Sequence, residues 1–171
     1  GWYHVVNRGI DRRRIFCDRR DYLHYLELLG ETSERYRLEI HAYVLMSNHY
    51  HLLARTPLAN LSAAMQWLNV SYSVWYNRRH GRVGPLFQGR FRAIIVEAGG
   101  WISHLGEYIH LNPIRIEAEG LGKEVSGAEQ EGLGAPPTVE EIARRLKIMR
   151  EYVWSSYPAY AGYVGSPKWL H

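Results

Sequence analysis

A chain of 171 residues with a single cysteine, and with 21 basic against 17 acidic side chains, has room for one domain with a full core. It excludes an internal disulfide and argues against a cysteine-based zinc site. No apolar run is long enough to span a bilayer and no secretory leader is present, so a cytoplasmic protein without a membrane partner is expected.

The charge is unevenly placed. Residues 1–115 hold 15 basic and 9 acidic side chains, whereas 116–171 hold 6 and 8. The cations are nearly all arginine, whose planar fork suits phosphate, so an anionic polymer is a plausible partner. An arginine-rich proteome would give the same balance.

In chain order, Trp2 to Asn7 reads as a strand ending in the turn-prone Arg8-Gly9-Ile10-Asp11. Asp18 or Asp21 can cap a helix to about Tyr36 with Tyr22, Leu23, Leu26 and Leu29 on one face. Leu38 to Leu45 and His49 to Arg55 read as strands joined tightly through Ser47-Asn48. Asn60 or Ser62 can cap a long helix to about Arg79, with Leu61, Met65, Leu68, Tyr72 and Trp75 at helical spacing. A fourth strand is expected over Arg92–Glu97, then a helix from Trp101 to about Asn112, stopped by Pro113.

This order predicts an α+β fold: a ferredoxin- or RRM-like βαββαβ antiparallel sheet with helices on one face, the other face free for a ligand, and one more helix after the fourth strand. Residues 1–115 would form the main domain, the catalytic one if the chemistry read below holds. The Gly/Glu-rich stretch 116–137 reads as a mobile loop or insertion. Residues 138–171 would add a Thr138-capped helix and an aromatic tail that packs on the domain.

Two stretches carry chemistry. In "MSNHYHLLART" (46–56), strand alternation sends His49 and His51 to one face and Tyr50 to the other. Two such imidazoles can chelate one divalent ion, or can simply be hydrogen-bonded surface histidines. In "HLGEYIHLNPIR" (104–115), His104, Tyr108 and Asn112 recur every four residues, presenting a hydroxyl and an amide oxygen on one helical face. A hydroxyl beside a bound metal is a candidate nucleophile toward a phosphodiester. The competing reading is that Tyr108 is one of 13 tyrosines packing a core.

The stretches "YHVVNRGIDRRRIF", "HAYVLMSNHYHLLARTP", "NRRHGRVGPLFQGRFRAIIVE", "YIHLNPIR" and "WSSYPAY" occur in this order. Together they resemble the HUH endonucleases and, more narrowly, the single-tyrosine transposases associated with REP elements (RAYT), relatives of the smallest insertion-sequence transposases. The resemblance implies that His49, His51 and Asn112 hold Mg²⁺ or Mn²⁺. It implies Tyr108 as the nucleophile that leaves a 5′-phosphotyrosine and a free 3′-hydroxyl on single-stranded DNA. The implied substrate is a short palindrome folded as a hairpin beside a single-stranded guide, in the bacterial cytoplasm at the nucleoid, with a monomer favoured over a dimer.

Candidate DNA contacts are Arg8, Arg12, Arg13 and Arg14 after the first strand, and Arg78, Arg79, Arg82, Arg90 and Arg92 around the glycine loop. The chain departs from the family pattern at Ser47, where proline is common, and in the longer insert between about Glu117 and Trp154. Two other readings stay open: a non-catalytic nucleic-acid-binding module on the same sheet, and a metal-dependent phosphodiesterase that uses water.

Overall fold

The computed structural model describes residues 1–97, 99–115 and 136–171. Four strands, β1 (Trp2–Arg8), β2 (Glu39–Met46), β3 (His49–Arg55) and β4 (Arg92–Val96), form one antiparallel sheet in the order β2-β3-β1-β4. Helices α1 (Arg19–Tyr36) and α2 (Leu61–Arg79) connect β1 to β2 and β3 to β4, which completes the expected βαββαβ plan. Then follow α3 (Gly100–His110), a short 3-10 turn (Asn112–Ile114), α4 (Val139–Glu151) and α5 (Tyr157–Tyr160). The insertion expected over 116–137 lies almost wholly outside the described residues. No described helix is long and apolar enough to cross a membrane.

The main core lies between the sheet and the α1–α2 pair. Asp18, rather than Asp21, caps α1: its carboxylate accepts from the Arg20 and Asp21 backbone N–H groups. The buried stripe of α1 runs through Tyr25, Leu28 and Leu29, while Leu23 is turned to solvent at 40% exposure. Of the expected face, Tyr22, Leu26 and Leu29 pack on the core and only Leu23 does not, its place in the stripe being taken by Tyr25. In α2 the buried positions Leu61, Ala64, Met65, Leu68, Tyr72 and Tyr76 follow the helical repeat and meet Val5, Tyr50 and Leu52 from the sheet.

The opposite face is not left free, contrary to the sequence expectation. Ile102, Leu105 and Ile109, spaced three and four apart on α3, pack on Ala42, Val44, Met46 and Leu53. These small and aliphatic residues occupy the outward-facing positions of β2 and β3, so α3 covers that half of the sheet. The β1–β4 half stays open among the described residues, with Ile94 of β4 at 62% exposure on that face.

The residues after α4 close the β2 edge. Trp154 stacks on Tyr22 with centroids 4.4 Å apart and its carbonyl accepts from Leu45 N–H, while Ser156 Oγ accepts from Tyr43 N–H. Further on, His171 N–H donates to the Ile40 carbonyl, and Trp169 lies so close over Gly30 that a Cβ there would sit 2.7 Å from its ring. One sheet edge is thereby capped, and among the described residues none pairs with the outer side of the other, β4.

Candidate metal and nucleophile site

The two-residue turn Ser47-Asn48 is fixed from outside the hairpin. Gly9 N–H donates to the Asn48 carbonyl, and Ile15 and Phe16 N–H both donate to that of Ser47. The loop after β1 thus clamps the turn and sets where β3 begins. His49 and His51 then share the face that α3 covers, with ring centroids 5.1 Å apart, while Tyr50 is buried among the helices with its hydroxyl donating to Asn69.

Each imidazole has one nitrogen already engaged. His49 Nδ1 lies 2.7 Å from Asn48 Oδ1, an acceptor, so Nδ1 carries the proton and Nε2 keeps its lone pair. His51 Nδ1 lies 2.9 Å from His4 Nε2. With the proton on His51 Nδ1, that ring too offers Nε2. Burial, with a smaller push from the Arg8 charge, holds the His49 pKa down at about 4. Burial and then the neighbouring His49, His4 and Arg8 hold that of His51 at about 3. Both rings are therefore neutral near pH 7, the form that binds a metal.

Tyr108 faces this pair from α3. Its ring meets His4 edge-on at 6.0 Å and His51 at 5.9 Å, and it is 40% exposed. One turn on, Asn112 Nδ2 donates to the Tyr108 carbonyl at 3.0 Å, which ties the amide to the end of α3 and leaves Oδ1 as the free atom. The Arg115 guanidinium sits 4.8 Å from the Tyr108 ring centre. Neither His4 nor Arg115 stands out in the sequence. His4 joins the group only through the pairing of β1 with β3, a non-local register, although its place in an alternating strand was the available signal.

The other two helix histidines lie apart from the cluster. His104 is a surface residue 3.7 Å from Glu107. His110 points to the Ser156 hydroxyl at 2.7 Å, and burial lowers its pKa to about 4.

The sheet register also places two of the candidate arginines. Arg8 pairs with His49, and Arg92 pairs with Val6, which on its other side pairs with His51. Arg92 is thus two strand spacings, about 10 Å, from His51 on the same face. Arg12, Arg13 and Arg14 are exposed in the clamping loop, where Asp11 and Arg12 adopt left-handed φ of 52° and 57°. Arg90 lies exposed beside Phe91 in a cleft against α2, Arg82 sits over the Tyr76 ring and Arg78 is exposed.

Arg79 is spent differently. It forms ion pairs with Asp18 and with the fully buried Asp21, which removes it from the phosphate-binding set. Asp21 also accepts from Cys17 N–H at 2.7 Å and from His80 at 2.9 Å. Cys17, Asp21 and His80 are the one group of three His, Cys, Asp or Glu donors close enough to share a metal among the described residues. The guanidinium on the Asp21 carboxylate opposes a second cation there, and every donor already has a partner, so this cluster reads as a staple between α1 and α2.

An antiparallel βαββαβ sheet with a helix-borne tyrosine facing two strand-borne imidazoles is an arrangement suited to phosphodiester chemistry. The IS200-like transposase family model matches residues 1–112, and the chain belongs to that family. It is a DNA-cleaving, transposase-type enzyme. Among solved structures the chain is similar to a REP-associated tyrosine transposase bound to a REP hairpin, with a TM-score of 0.55 and 19% identity over 78% of this chain and 81% of that one. It is also similar to a chain from Deinococcus radiodurans R1 described as a transposase, with a TM-score of 0.47 and 17% identity over 64% and 88%. At these identities the likeness is one of fold. No curated protein matches the sequence.

Proposed function

We propose that residues 1–115 form a metal-dependent, single-tyrosine endonuclease that cleaves and rejoins single-stranded DNA at palindromic, REP-like hairpins. The observation that carries this reading is the meeting of Tyr108 with the His49–His51 pair, whose Nδ1 atoms are engaged and whose Nε2 atoms have no hydrogen-bond partner among the described residues. With Asn112 Oδ1, two neutral imidazole nitrogens and one amide oxygen make a donor set that fits a divalent ion. The oxygen donor and the substrate's own oxygens favour Mg²⁺ or Mn²⁺ over zinc. When bound, such an ion polarises the phosphoryl oxygens of the scissile phosphate.

The chain's own residues do the rest. The Tyr108 Oη attacks phosphorus and forms a P–O bond. The bond from phosphorus to the 3′ oxygen breaks, and that oxygen leaves as a free 3′-hydroxyl while the 5′ side stays as a phosphotyrosine. The phenol loses its proton as the leaving oxygen gains one, so the reverse attack by a 3′-hydroxyl rejoins DNA without outside energy. Arg8 and Arg92 flank the pair on the same sheet face and hold the phosphodiester backbone. The likeness in fold to a REP-associated transposase bound to a REP hairpin supports a REP-like hairpin as substrate.

The test uses single-stranded DNA carrying a palindromic, REP-like hairpin with a single-stranded flank, with Mn²⁺ or Mg²⁺, read on a denaturing gel. The wild type forms a covalent protein–DNA band, and chelation, His49→Ala or Tyr108→Phe abolishes it. Cleavage at full rate by Tyr108→Phe would make water the nucleophile and overturn the reading.

A further inference from the structure

Trp101, His104, Tyr108, Leu111 and Arg115 follow one another at intervals of three and four, so they form a single stripe along α3 and the turn after it. The inward stripe of the same helix is Ile102, Leu105 and Ile109. The outward one is open in part among the described residues: Tyr108 meets His4 and His51 and Leu111 packs beside Ile114 and Met149, while Trp101 and His104 lie exposed. Trp101 is 71% exposed, a cost that packing does not explain. Trp101 and Tyr108 are also the shared ridge between two clefts. One is walled by His4, Ile94, Val96 and Leu105, and the other runs past Glu107 to Arg115.

Resting on the single-strand reading above, we propose that this stripe is the track for the strand flanking the scissile phosphate, with Trp101 stacking a base and Arg115 holding a phosphate. Tyr108 stands in the middle of the stripe, so whatever lies along it passes the nucleophile. The two ends differ in chemistry. In the cleft between β4 and α3, Ile94, Val96 and Leu105 give a base an apolar wall to lie against while Trp101 covers its face, and His4, His104 and Glu97 line the rest. At the other end the Arg115 guanidinium is the cation, and among the described residues no carboxylate pairs with it. Glu107 lines the same cleft, 3.7 Å from His104, and its charge confines phosphates to the Arg115 end. Trp101 and Tyr108 are seven residues apart, about 10 Å along the helix, which is the axial span of about three stacked nucleotides.

The experiment measures binding by fluorescence anisotropy, with the full chain and two labelled probes: a 12-nucleotide oligothymidylate and a 12-unit abasic strand with the same backbone. The wild type prefers the strand with bases by about tenfold. Trp101→Ala loses most of that preference and Trp101→Phe keeps most of it. Arg115→Gln keeps the preference but lowers the slope of log affinity against log salt by about 0.7, the contribution of one phosphate on a single strand. A merely structural role would move neither the ratio nor the slope.

Equal binding of both probes by the wild type, an unchanged preference in Trp101→Ala, or an unchanged salt slope in Arg115→Gln overturns the proposal. Tyr108→Phe removes the hydroxyl and leaves both contacts in place, so it retains the oligothymidylate preference. A covalent adduct that persists in Tyr108→Phe would sink the cleavage chemistry alone.

Discussion

An imidazole binds a metal through a lone pair, and which nitrogen holds it is decided by what the other nitrogen touches. At His49 that partner is Asn48 Oδ1, one residue away in the turn. Asn48→Ala removes the acceptor, frees the ring to adopt either tautomer, and should weaken Mn²⁺ binding about tenfold or more in a calorimetric titration. An unchanged affinity would mean that the turn asparagine does not orient the ligand.

Acid should act on the same scale. Burial holds His49, His51 and His110 at about 4, about 3 and about 4, below the ordinary histidine value of 6.5. Between those values and 6.5 the unfolded chain binds protons that the folded chain refuses. Their contribution to stability is therefore fully present above about pH 6.5 and is lost as pH falls toward 4, by up to about 1.4 kcal/mol per pH unit for each histidine. Urea unfolding midpoints in chelator between pH 7.5 and 5 check this, and His110→Gln should flatten the dependence.

The pairing of His49 with His51 was legible in the sequence because the strand period of two is local. His4 was not, because its place beside His51 depends on two strands separated by α1 and β2. The roles of His49, His51, Asn112 and Tyr108 rest on the adduct and metal experiments.

At the scale of elements, the order of strands and helices followed from capping residues, turns and periodicity, each of which acts within a few residues. What those signals missed was the docking of α3. Its apolar stripe is short, and nothing local says which surface will receive it. The answer lies in Ala42, Val44, Met46 and Leu53, outward positions that a solvated face would fill with polar residues. That alternation was present in the sequence as an unusually apolar run in both strands.

Ile109 is the one fully buried side chain of α3, so it holds the tyrosine helix to the sheet. Ile109→Ala should cost about 2–5 kcal/mol locally. Because the main core on the other face is untouched, the loss should appear first as faster hydrogen exchange over 100–110 and weaker adduct formation, with far-UV circular dichroism unchanged. Exchange as slow as in the wild type would mean that other contacts hold the helix.

At the scale of the molecule, the fold divides the arginines of the first 115 residues between two tasks that sequence composition cannot separate. Arg79 is bound to Asp18 and the buried Asp21, tying the start of α1 to the end of α2 and so fixing the frame on which the clamping loop rests. Arg8 and Arg92 sit in the sheet rows that carry His49 and His51, Arg92 exposed and Arg8 half-buried. A count of charges sees identical residues, and only the placement of two carboxylates three residues apart distinguishes them.

The two groups should therefore fail in opposite ways. Arg79→Gln leaves Asp21 short of its strongest partner in a buried site, so the melting temperature should fall by several degrees while affinity for single-stranded DNA holds. Arg8→Gln should leave the melting curve in place, weaken binding about uniformly across DNA sequences and reduce its salt dependence. Paired thermal melts and mobility-shift titrations at two salt concentrations resolve the four combinations. Loss of DNA affinity in Arg79→Gln at unchanged stability would return that residue to the nucleic-acid surface.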